Sequence, residues 1–380
     1  MKFRHNAPAV LIITVVIAIT IISVVSNRIS SQMTASSEEG QFAMMSEIMK
    51  SKLVGAENNA LSSAEMVAAM PDVKAAFAAK DRERLLAITQ DIFRIQHDKY
   101  GFTQAQFHEL PAVSFLRVHN PKKFGEDLSG YRQMVVDVNR NIAIRKGIEV
   151  TTSGVGIFGT LPMTDAAGVH TGSFEMALEF GPLLDALKAA YGFELAVFIE
   201  EKILHEVATS LKGDILNEQN RVGKYIKFYT THSELLRALV SDADINISED
   251  THYVRDAVGV PYGVLLQPLY NYAHKQIGVV AISGNFGATR SAAGQALVWQ
   301  SLLAIVVIIV LIGAILIVVR GLLLQPLLML SERLAALAKG DCSQTIEDTD
   351  SLCEEMQQLA DNYEQLRAQI QRSKSVGSEL

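Results

Sequence analysis

The chain has few cysteines, and their positions exclude a disulfide framework for most of its length. There are 2 cysteines in 380 residues, Cys342 and Cys353, and both lie toward the carboxyl terminus. The long middle segment has none, so its fold forms without disulfides. The net charge of −7 lacks the basic excess that nucleic-acid binding needs, so no nucleic-acid partner is expected.

Catalytic and metal-binding patterns are also lacking. The 9 histidines show no metal-ligand spacing, and no nucleophile elbow or phosphate-binding loop occurs. Gly154, Gly156 and Gly159 match a dinucleotide fingerprint by letters. They lie in a β-rich antiparallel stretch and open no helix, so we reject that interpretation. The chain is predicted not to be an enzyme and to need no cofactor or metal.

Charged residues are absent from two long apolar runs, residues 6–27 and 291–319. Each run is long enough for the roughly 20 helical residues that cross a bilayer core. The alternatives are a cleaved signal peptide for the first run and a buried core helix for the second. The first run lacks a nearby cleavage site, and Trp299 and Arg320 flank the second as at a membrane interface. We therefore predict two transmembrane helices.

Basic residues set the expected orientation of the two spans. Lys2 and Arg4 precede the first span, and Arg320, Arg333 and Lys339 follow the second. The positive-inside rule then places both termini in the cytoplasm. We expect a multi-pass protein of a bacterial inner (cytoplasmic) membrane, with the segment between the spans periplasmic or extracellular.

The segment between the spans begins helical and then becomes β-rich. Apolar residues recur at helical spacing from Met45 to Leu61 and predict a long helix over 29–70, ended by Pro71. From about Gln104 the pattern changes to period two and predicts an antiparallel α+β fold. The predicted helices are 81–97, 131–140 and 183–191, and the predicted strands lie in 112–118, 147–163, 171–180 and 193–200.

An internal repeat occurs late in each half of this segment. A strand ending in proline is followed ten residues later by a glycine and a second strand, as Pro162 with Gly172 and Pro268 with Gly278. The repeat predicts two related modules in tandem, the second smaller.

Two leucine seams follow the second span. Leu327, Leu330, Leu334 and Leu337 step by three and four, and a second seam runs over 352–370. Neither seam can be buried alone, so a parallel homodimer with a four-helix bundle is expected. Only ten residues follow Ile370. We expect either a truncated chain or a cytoplasmic signalling partner.

The segment after the second span resembles a HAMP domain. The proline at the head of the first seam, the glycine-aspartate connector and the acidic start of the second seam carry the resemblance. Gln357 stands where the family usually has glycine. The matching residues are Pro326, Leu330, Leu334, Gly340, Asp341, Glu354, Glu355, Met356 and Leu359.

The outer segment resembles the double Cache sensor domains of methyl-accepting chemotaxis receptors and sensor histidine kinases. These are two PAS-like modules on a long N-terminal helix, and the resemblance implies small-molecule binding in the membrane-distal module. It also implies that the second span passes the signal into HAMP. The residues that carry it are Leu116–Pro121, Phe124–Ser129, Tyr131–Arg132, Gly147–Glu149, Gly154, Gly156, Pro162 and Gly172–Glu175.

Polar side chains near the expected PAS-like pocket are the candidate ligand contacts. Arg117 and His119 lie two apart on a predicted strand and point to the same face. Arginine favours a carboxylate or phosphate, whereas glutamate favours an amine. The full candidate set is Arg117, His119, Tyr131, Arg132, Glu149 and Glu175.

Structural roles are the alternative for these residues. Arg117 and Glu175 can pair across strands, His119 can shape a turn, and Asp127 can cap a helix that begins near Ser129.

The sequence thus predicts a transmembrane sensory receptor that binds a small extracytoplasmic ligand and relays the signal through HAMP. Its expected partners are that ligand, the lipid bilayer and a second copy, which joins through HAMP and the long helix. The alternatives are the input half of a sensor histidine kinase or diguanylate cyclase, and a scaffolding protein with an empty sensor fold. The predicted layout is a cytoplasmic N-terminus 1–8, first span 9–28, long helix and distal Cache module 29–200, proximal Cache module 201–295, second span 296–320, HAMP 321–373 and tail 374–380.

Overall fold

A computed structural model describes residues 3–211, 215–346 and 354–377. The chain divides into two compact units, one of Ala35–Arg290 and one of Met1–Thr34 with Ser291–Leu380. Lys2, Leu352 and Cys353, which enter the sequence predictions, lie outside the described residues. Of the described cysteines, Cys342 is a free thiol.

Three helices come first, and local signals set their ends. The long helix α1, Phe3–Ala69, is followed by α2, Pro71–Ala78, where the proline occupies the first turn and loses no hydrogen bond. Helix α3, Arg82–Tyr100, begins where the Asp81 carboxylate accepts a hydrogen bond from the Arg84 amide at 3.0 Å. The predicted long helix and the helix over 81–97 are both confirmed.

The first sheet has five antiparallel strands in the order β2-β1-β5-β4-β3. The β-rich pattern of the sequence is confirmed, and the helix predicted over 131–140 is α4, which begins two residues later than predicted. The elements are β1 Phe102–Glu109, β2 Val113–Arg117, α4 Gln133–Asn141, β3 Arg145–Thr151, β4 Gly154–Thr164 and β5 His170–Glu179.

The second sheet has six strands in the order β7-β8-β6-β11-β10-β9. A short 3-10 turn, Glu218–Asn220, precedes β7. The elements are α5 Phe180–Tyr191, β6 Glu194–Glu200, α6 Glu201–Val207, β7 Arg221–Val222, β8 Tyr225–Thr230, α7 Ser233–Leu239, β9 Thr251–Ala257, β10 Val260–Tyr270 and β11 Gln276–Asn285.

Strand β6 shifts the border between the two sheets. The sequence analysis placed the module border after residue 200, whereas β6 pairs with β11 and β8 in the second sheet. The second sheet therefore begins at Glu194. It has six strands and the first sheet has five, so by number of strands the second module is not the smaller one.

The internal repeat corresponds to two equivalent hairpins. Pro162 lies opposite Ser173 in the β4–β5 hairpin, and Pro268 lies opposite Val279 in the β10–β11 hairpin. In both hairpins the repeated glycine allows the neighbouring strand to approach closely. A Cβ at Gly172 or Gly278 would lie 2.1 Å from a carbonyl oxygen of that strand. The repeat is thus a packing requirement shared by the two sheets.

Helix α1 contributes to the cores of both modules. Phe42, Met45 and Met49 enter an apolar cluster that includes β3, β4, β6 and β11, whereas Ala60 and Ala64 enter a cluster with β1 and β5. The second contact is very close, because a Cβ at Gly159 of β4 would lie 2.2 Å from the Leu61 amide nitrogen. On β11, side chains alternate between two clusters, as the period of a strand requires.

The second unit contains the apolar runs and the leucine seams. Helix α8, Gly287–Ile317, continues through a π-helical segment, Val318–Leu324, into α9, Gln325–Ala338, and α10 is Glu354–Gly377. By length and composition, α1 and the helix that begins with α8 are each able to cross a membrane. The buried residues that join α9 to α10 are Leu330, Leu337, Met356, Ala360 and Tyr363.

Candidate functional site

A polar cavity of about 270 Å³ lies in the first module and is called the distal cavity below. Four of the six predicted contacts line it, namely Arg117, His119, Tyr131 and Arg132. Strand β2 and the turn after it supply the first two, and the segment leading into α4 supplies the others. Glu149 and Glu175 are absent from the cavity wall as described, and both bind Arg132 behind it.

Arg132 is the centre of a buried ion cluster. It precedes the first residue of α4 and its side chain is only 3% exposed. Nε donates to Glu149 at 2.9 Å, and Nη1 and Nη2 donate to the two oxygens of Glu175 at 2.8 and 2.6 Å. The guanidinium also lies 4.7 Å from the centre of the Phe158 ring. Because its charge is met by two carboxylates, Arg132 forms part of a rigid wall.

The two carboxylates of this cluster differ in pKa because their surroundings differ. Burial raises the pKa of Glu149, although Arg132 and the Met134 amide oppose this. For Glu175, burial is outweighed by Arg132 and His108, so the pKa falls below its ordinary value. Burial lowers the pKa of His108 to about 4, which keeps its ring neutral at pH 7.

Arg117 binds a different carboxylate from the one considered in the sequence analysis. Its Nη1 donates to the Glu126 carboxylate and, at 3.0 Å, to the Lys123 carbonyl. The Arg117–Glu175 pair is therefore wrong, since Glu175 belongs to Arg132. Burial alone would raise the pKa of Glu126, but the hydrogen bond from Arg117 holds it below its usual value. Arg117 thus differs from Arg132, the other arginine of the cavity wall as described. The carboxylate bound to Arg117 is partly exposed, whereas both carboxylates bound to Arg132 are buried.

His119 and Asp127 both have local structural contacts. The His119 Nδ1 atom accepts from the Ala105 amide at 3.2 Å, and burial lowers the pKa of the ring. Asp127 accepts from the Ser129 amide at 2.9 Å, which closes a turn. Helix α4 begins only at Gln133, so the helix-cap alternative for Asp127 is wrong.

Uncharged polar side chains, which the sequence analysis missed, form most of the remaining wall. They come from β1, from the β3–β4 turn and from the segment after α6. The Thr103 hydroxyl is buried and has no hydrogen-bond partner among the described residues. Period-two placement of Gln104 and Gln106 was the one available signal. The missed residues are Thr103, Gln104, Gln106, Thr151, Ser153 and Ser210.

This arrangement favours hydrogen bonding over strong charge attraction. The carboxylates of Glu126, Glu149 and Glu175 meet the two arginine charges, and Glu126 also pairs with Lys123. Hydroxyl and amide groups then remain to face a ligand, together with the Glu179 carboxylate. In the described ranges, no group of three or more His, Cys, Asp and Glu side chains is placed to hold a metal ion.

Comparison with solved structures finds distant likenesses. The ligand-binding domain of the Campylobacter jejuni chemoreceptor Tlp3, solved in complex with L-valine, is 10% identical with a TM-score of 0.42, over 69% of this chain and 97% of that one. The periplasmic domain of Vibrio cholerae LuxQ is 10% identical with a TM-score of 0.35, over 67% and 98%. An extracellular ligand-binding receptor from Desulfohalobium retbaense is 14% identical with a TM-score of 0.36; the match covers 64% of this chain and 39% of the receptor.

Comparison with protein families gives a direct assignment. No curated protein matches the chain. The family model described as a double sensory domain of two-component sensor kinase matches residues 47–285. This range includes both sheets and the carboxyl-terminal part of α1. The fold predicted from the sequence, two antiparallel modules on a long N-terminal helix, is thereby confirmed. The chain belongs to the double Cache family of sensory domains.

Proposed function

We propose that this protein is a transmembrane sensory receptor that binds a small polar molecule in the distal cavity. The observation that carries the proposal is the cavity itself, about 270 Å³ in volume and lined by convergent polar groups. Arg117, His119 and Tyr131 contact the ligand together with the uncharged side chains of β1 and the β3–β4 turn. Arg132, Glu149 and Glu175 form the wall that holds these groups in place.

The membrane topology of this proposal follows from the two apolar helices. Spans at 9–28 and 296–320 anchor the protein in a bacterial inner membrane, with the sensor modules outside the cytoplasm. The module that holds the distal cavity packs on α1 beyond Ala60, farther along the helix from the first span than the second module. We propose that it is the membrane-distal module.

Contact between the two modules supplies the first step of a relay. The turn between β10 and β11 lies on β3, where the Tyr272 amide donates to the Ile148 carbonyl at 3.0 Å. The Tyr272 ring packs against Met134, Phe158 and Ala177. Burial and the nearby Glu149 carboxylate raise the pKa of Tyr272 to about 12. A side chain of the β10–β11 turn therefore touches the first module beside its ion cluster.

The same contact connects the distal cavity to β11, the strand that precedes the second span in the chain. Arg132 lines the cavity and binds Glu149, and Glu149 accepts from the Met134 amide at 2.8 Å. Met134 packs on Tyr272, whose hairpin continues through β11 to the start of α8. We infer that a ligand that binds one arrangement of the two modules more tightly than another shifts this hairpin through the Arg132–Glu149 contact.

A parallel homodimer completes the relay in our proposal. One face of α9 and α10 is buried between the two helices, but Leu327, Leu334, Leu359 and Leu366 are 44–50% exposed. Exposed leucines at heptad spacing favour a second copy that buries them in a four-helix bundle. The segment 321–373 then acts as a HAMP domain, and its output passes to a cytoplasmic partner.

A second candidate function is the input half of a sensor histidine kinase. The description of the matching family, which names two-component sensor kinases, favours it. This candidate uses the same cavity and relay and differs only in whether the output module is part of the same polypeptide. A diguanylate cyclase output is the corresponding alternative.

Ligand binding is tested by thermal unfolding of the full chain in lipid nanodiscs against a library of small polar metabolites. A ligand at 100 times its Kd stabilises the folded state by about 2.7 kcal/mol. We expect Arg117→Ala and Tyr131→Phe to reduce the shift, because both side chains line the cavity. Lys122→Ala, an exposed change on the same loop outside the wall, is the matched control. A shift unchanged by both cavity variants contradicts the proposed site.

The relay is tested with Tyr272→Ala. We expect the variant to keep ligand affinity but to lose the ligand-dependent change in hydrogen exchange of β11, because the ring is the contact between hairpin and cluster. Tyr270→Ala, on the same hairpin but outside that cluster, is the control. An undiminished response of β11 in Tyr272→Ala shows that the signal takes another route.

A further inference from the structure

A second and larger cavity lies where α1, β3 and the β10–β11 hairpin meet, and we call it the junction cleft. Its volume is about 540 Å³, and it shares no lining residue with the distal cavity. Both modules and the long helix contribute to its wall, so a molecule bound there touches all three. The ligand contacts proposed for the distal cavity do not use it, although Ile148 and Tyr272, which meet in the proposed relay, lie in its wall.

Two opposite charges in the cleft are left without ionic partners. Glu57 of α1 is half-buried and makes no hydrogen bond or ion pair within the described residues. Its pKa is raised by burial, against the attraction of Lys146 and His274. Lys146 of β3 donates to the Asn58 side-chain oxygen and forms no ion pair in the described ranges. The cleft therefore presents one anionic and one cationic group that attract each other but form no ion pair within the described residues.

The other charges of the cleft are already satisfied. Asp250 accepts from the Lys50 ammonium at 2.9 Å and from the Gln267 amide nitrogen at 2.8 Å. The pKa of Asp250 is accordingly low, because these hydrogen bonds outweigh its burial. A ligand gains little by competing for this pair, so Glu57 and Lys146 are the groups that select it.

Between the charged groups the wall is aliphatic. Met49 and Leu53 of α1, Ile148 of β3 and Leu269 of β10 line the cleft and also belong to the main apolar cluster. An apolar group placed on them is removed from water without any rearrangement of the cluster, which favours binding in proportion to the area covered.

We propose that the junction cleft binds a small aliphatic zwitterion, with its ammonium group on Glu57 and its carboxylate on Lys146. A simple amine is disfavoured by Lys146, and a simple carboxylate is disfavoured by Glu57. The aliphatic body lies on Leu53, Ile148 and Leu269. Occupancy stabilises the junction at which Tyr272 meets β3, so the receptor responds to two molecules, one in each site.

The test uses three matched probes that differ only in charged groups: leucine, 3-methylbutylamine, which lacks the carboxylate, and 4-methylpentanoate, which lacks the amine. Binding to the full chain in nanodiscs is measured by titration calorimetry. We expect leucine to bind at least about tenfold more tightly than either single-charge probe, since a charged hydrogen bond is lost with each. Glu57→Gln and Lys146→Met should each weaken leucine by a similar factor, and exposed Glu65→Gln on α1 should not.

Three results overturn the inference. The first is no leucine binding to the wild-type chain, and the second is a leucine affinity unchanged in both cleft variants. In the third, Arg117→Ala abolishes the leucine signal while Glu57→Gln keeps it, which places leucine in the distal cavity. Failure of the distal proposal does not produce any of these results, because the two sites share no residue.

Discussion

The two repeated hairpins have the same backbone register but opposite interiors. In the β4–β5 hairpin, Thr160 lies opposite Glu175, and both are fully buried. The corresponding positions of the β10–β11 hairpin are Leu266 and Ala281, which lie opposite each other in an apolar core. The same scaffold thus holds an ion cluster in one module and a conventional core in the other. The difference shows that the polar cluster is not required by the fold.

The largest expected effect comes from removing the cation of the buried cluster. Arg132→Met leaves Glu149 and Glu175 buried without their arginine partner, which costs about 3–5 kcal/mol. We expect to measure this loss of stability as weaker protection of the β4 and β5 amides from hydrogen exchange. The triple variant Arg132→Met, Glu149→Gln, Glu175→Leu should recover most of it, because the first module then resembles the second. A loss below about 1 kcal/mol in Arg132→Met would mean that the cluster is hydrated.

A pH effect of nearly the same size should be confined to the first module. His108 is fully buried and its pKa in the fold is about 4, against 6.5 for the ordinary value. Between these values the unfolded state binds a proton that the folded state does not, so stability falls as pH drops from 6.5 to 4. The contribution is about 3 kcal/mol.

Comparison with His108→Gln isolates this contribution from that of the carboxylates, and Glu149 in particular changes stability in the opposite direction because its pKa is raised. The variant should show a smaller loss of stability between pH 6.5 and 4 in chemical denaturation. His232→Gln, an exposed histidine change in the second module, is the matched control. Equal slopes for wild type and His108→Gln would show that His108 has the same pKa in the folded and unfolded states.

Neither repeated glycine should tolerate a side chain, despite the different interiors, and Gly172 should tolerate it less because its φ of +150° favours glycine. Gly172→Ala and Gly278→Ala each bring a Cβ to 2.1 Å from a neighbouring carbonyl oxygen. Overpacking of this kind costs about 1–3 kcal/mol, which denaturant midpoints will measure. Gly55→Ala, on α1 with open space around it, should be neutral or slightly stabilising. A large effect at only one of the two glycines would break the equivalence of the hairpins.

The smallest effect is expected for a similar ion pair in the second module. Arg255 donates to both oxygens of Asp244, at 2.7 and 3.1 Å, but the arginine side chain is 34% exposed. Arg255→Met should therefore cost only about 1 kcal/mol or less. The pKa of Asp244, held at about 2 against burial by Arg255 and Ser241, should rise in the variant. NMR titration of that carboxyl group measures it.

Much of this architecture was accessible from the sequence because its signals are local. The charge-free runs, the Pro71 break and the proline-glycine repeat each depend on residues close together in the chain. The sheet border was not accessible, since β6 pairs with β11, far away along the chain.

The candidate site was only partly predictable for the same reason. Six polar residues were singled out as ligand contacts, and the structure brings four of them to the wall of the distal cavity. The partner of each arginine was not predictable, because it depends on strand register and on where α4 begins. Glu175, which the sequence analysis had considered as a partner of Arg117, is therefore bound by Arg132. The uncharged lining of the distal cavity was missed because its side chains come from separate segments, and a single Thr or Gln carries no distinctive pattern.

Helix α1 has a consequence for building chimeric biosensors. The helix packs through Met45 and Met49 on one cluster and through Ala60 and Ala64 on another, with Leu61 against Gly159. Transplanting one module alone would require a fusion point in α1 between these two packing regions. One module would then pack against a foreign segment of helix that does not fit it. The transferable cassette is therefore the whole of Ala35–Arg290. In a chimera, the fusion points should therefore lie at Ala35 and Arg290, so that the flanking helices come from the other receptor.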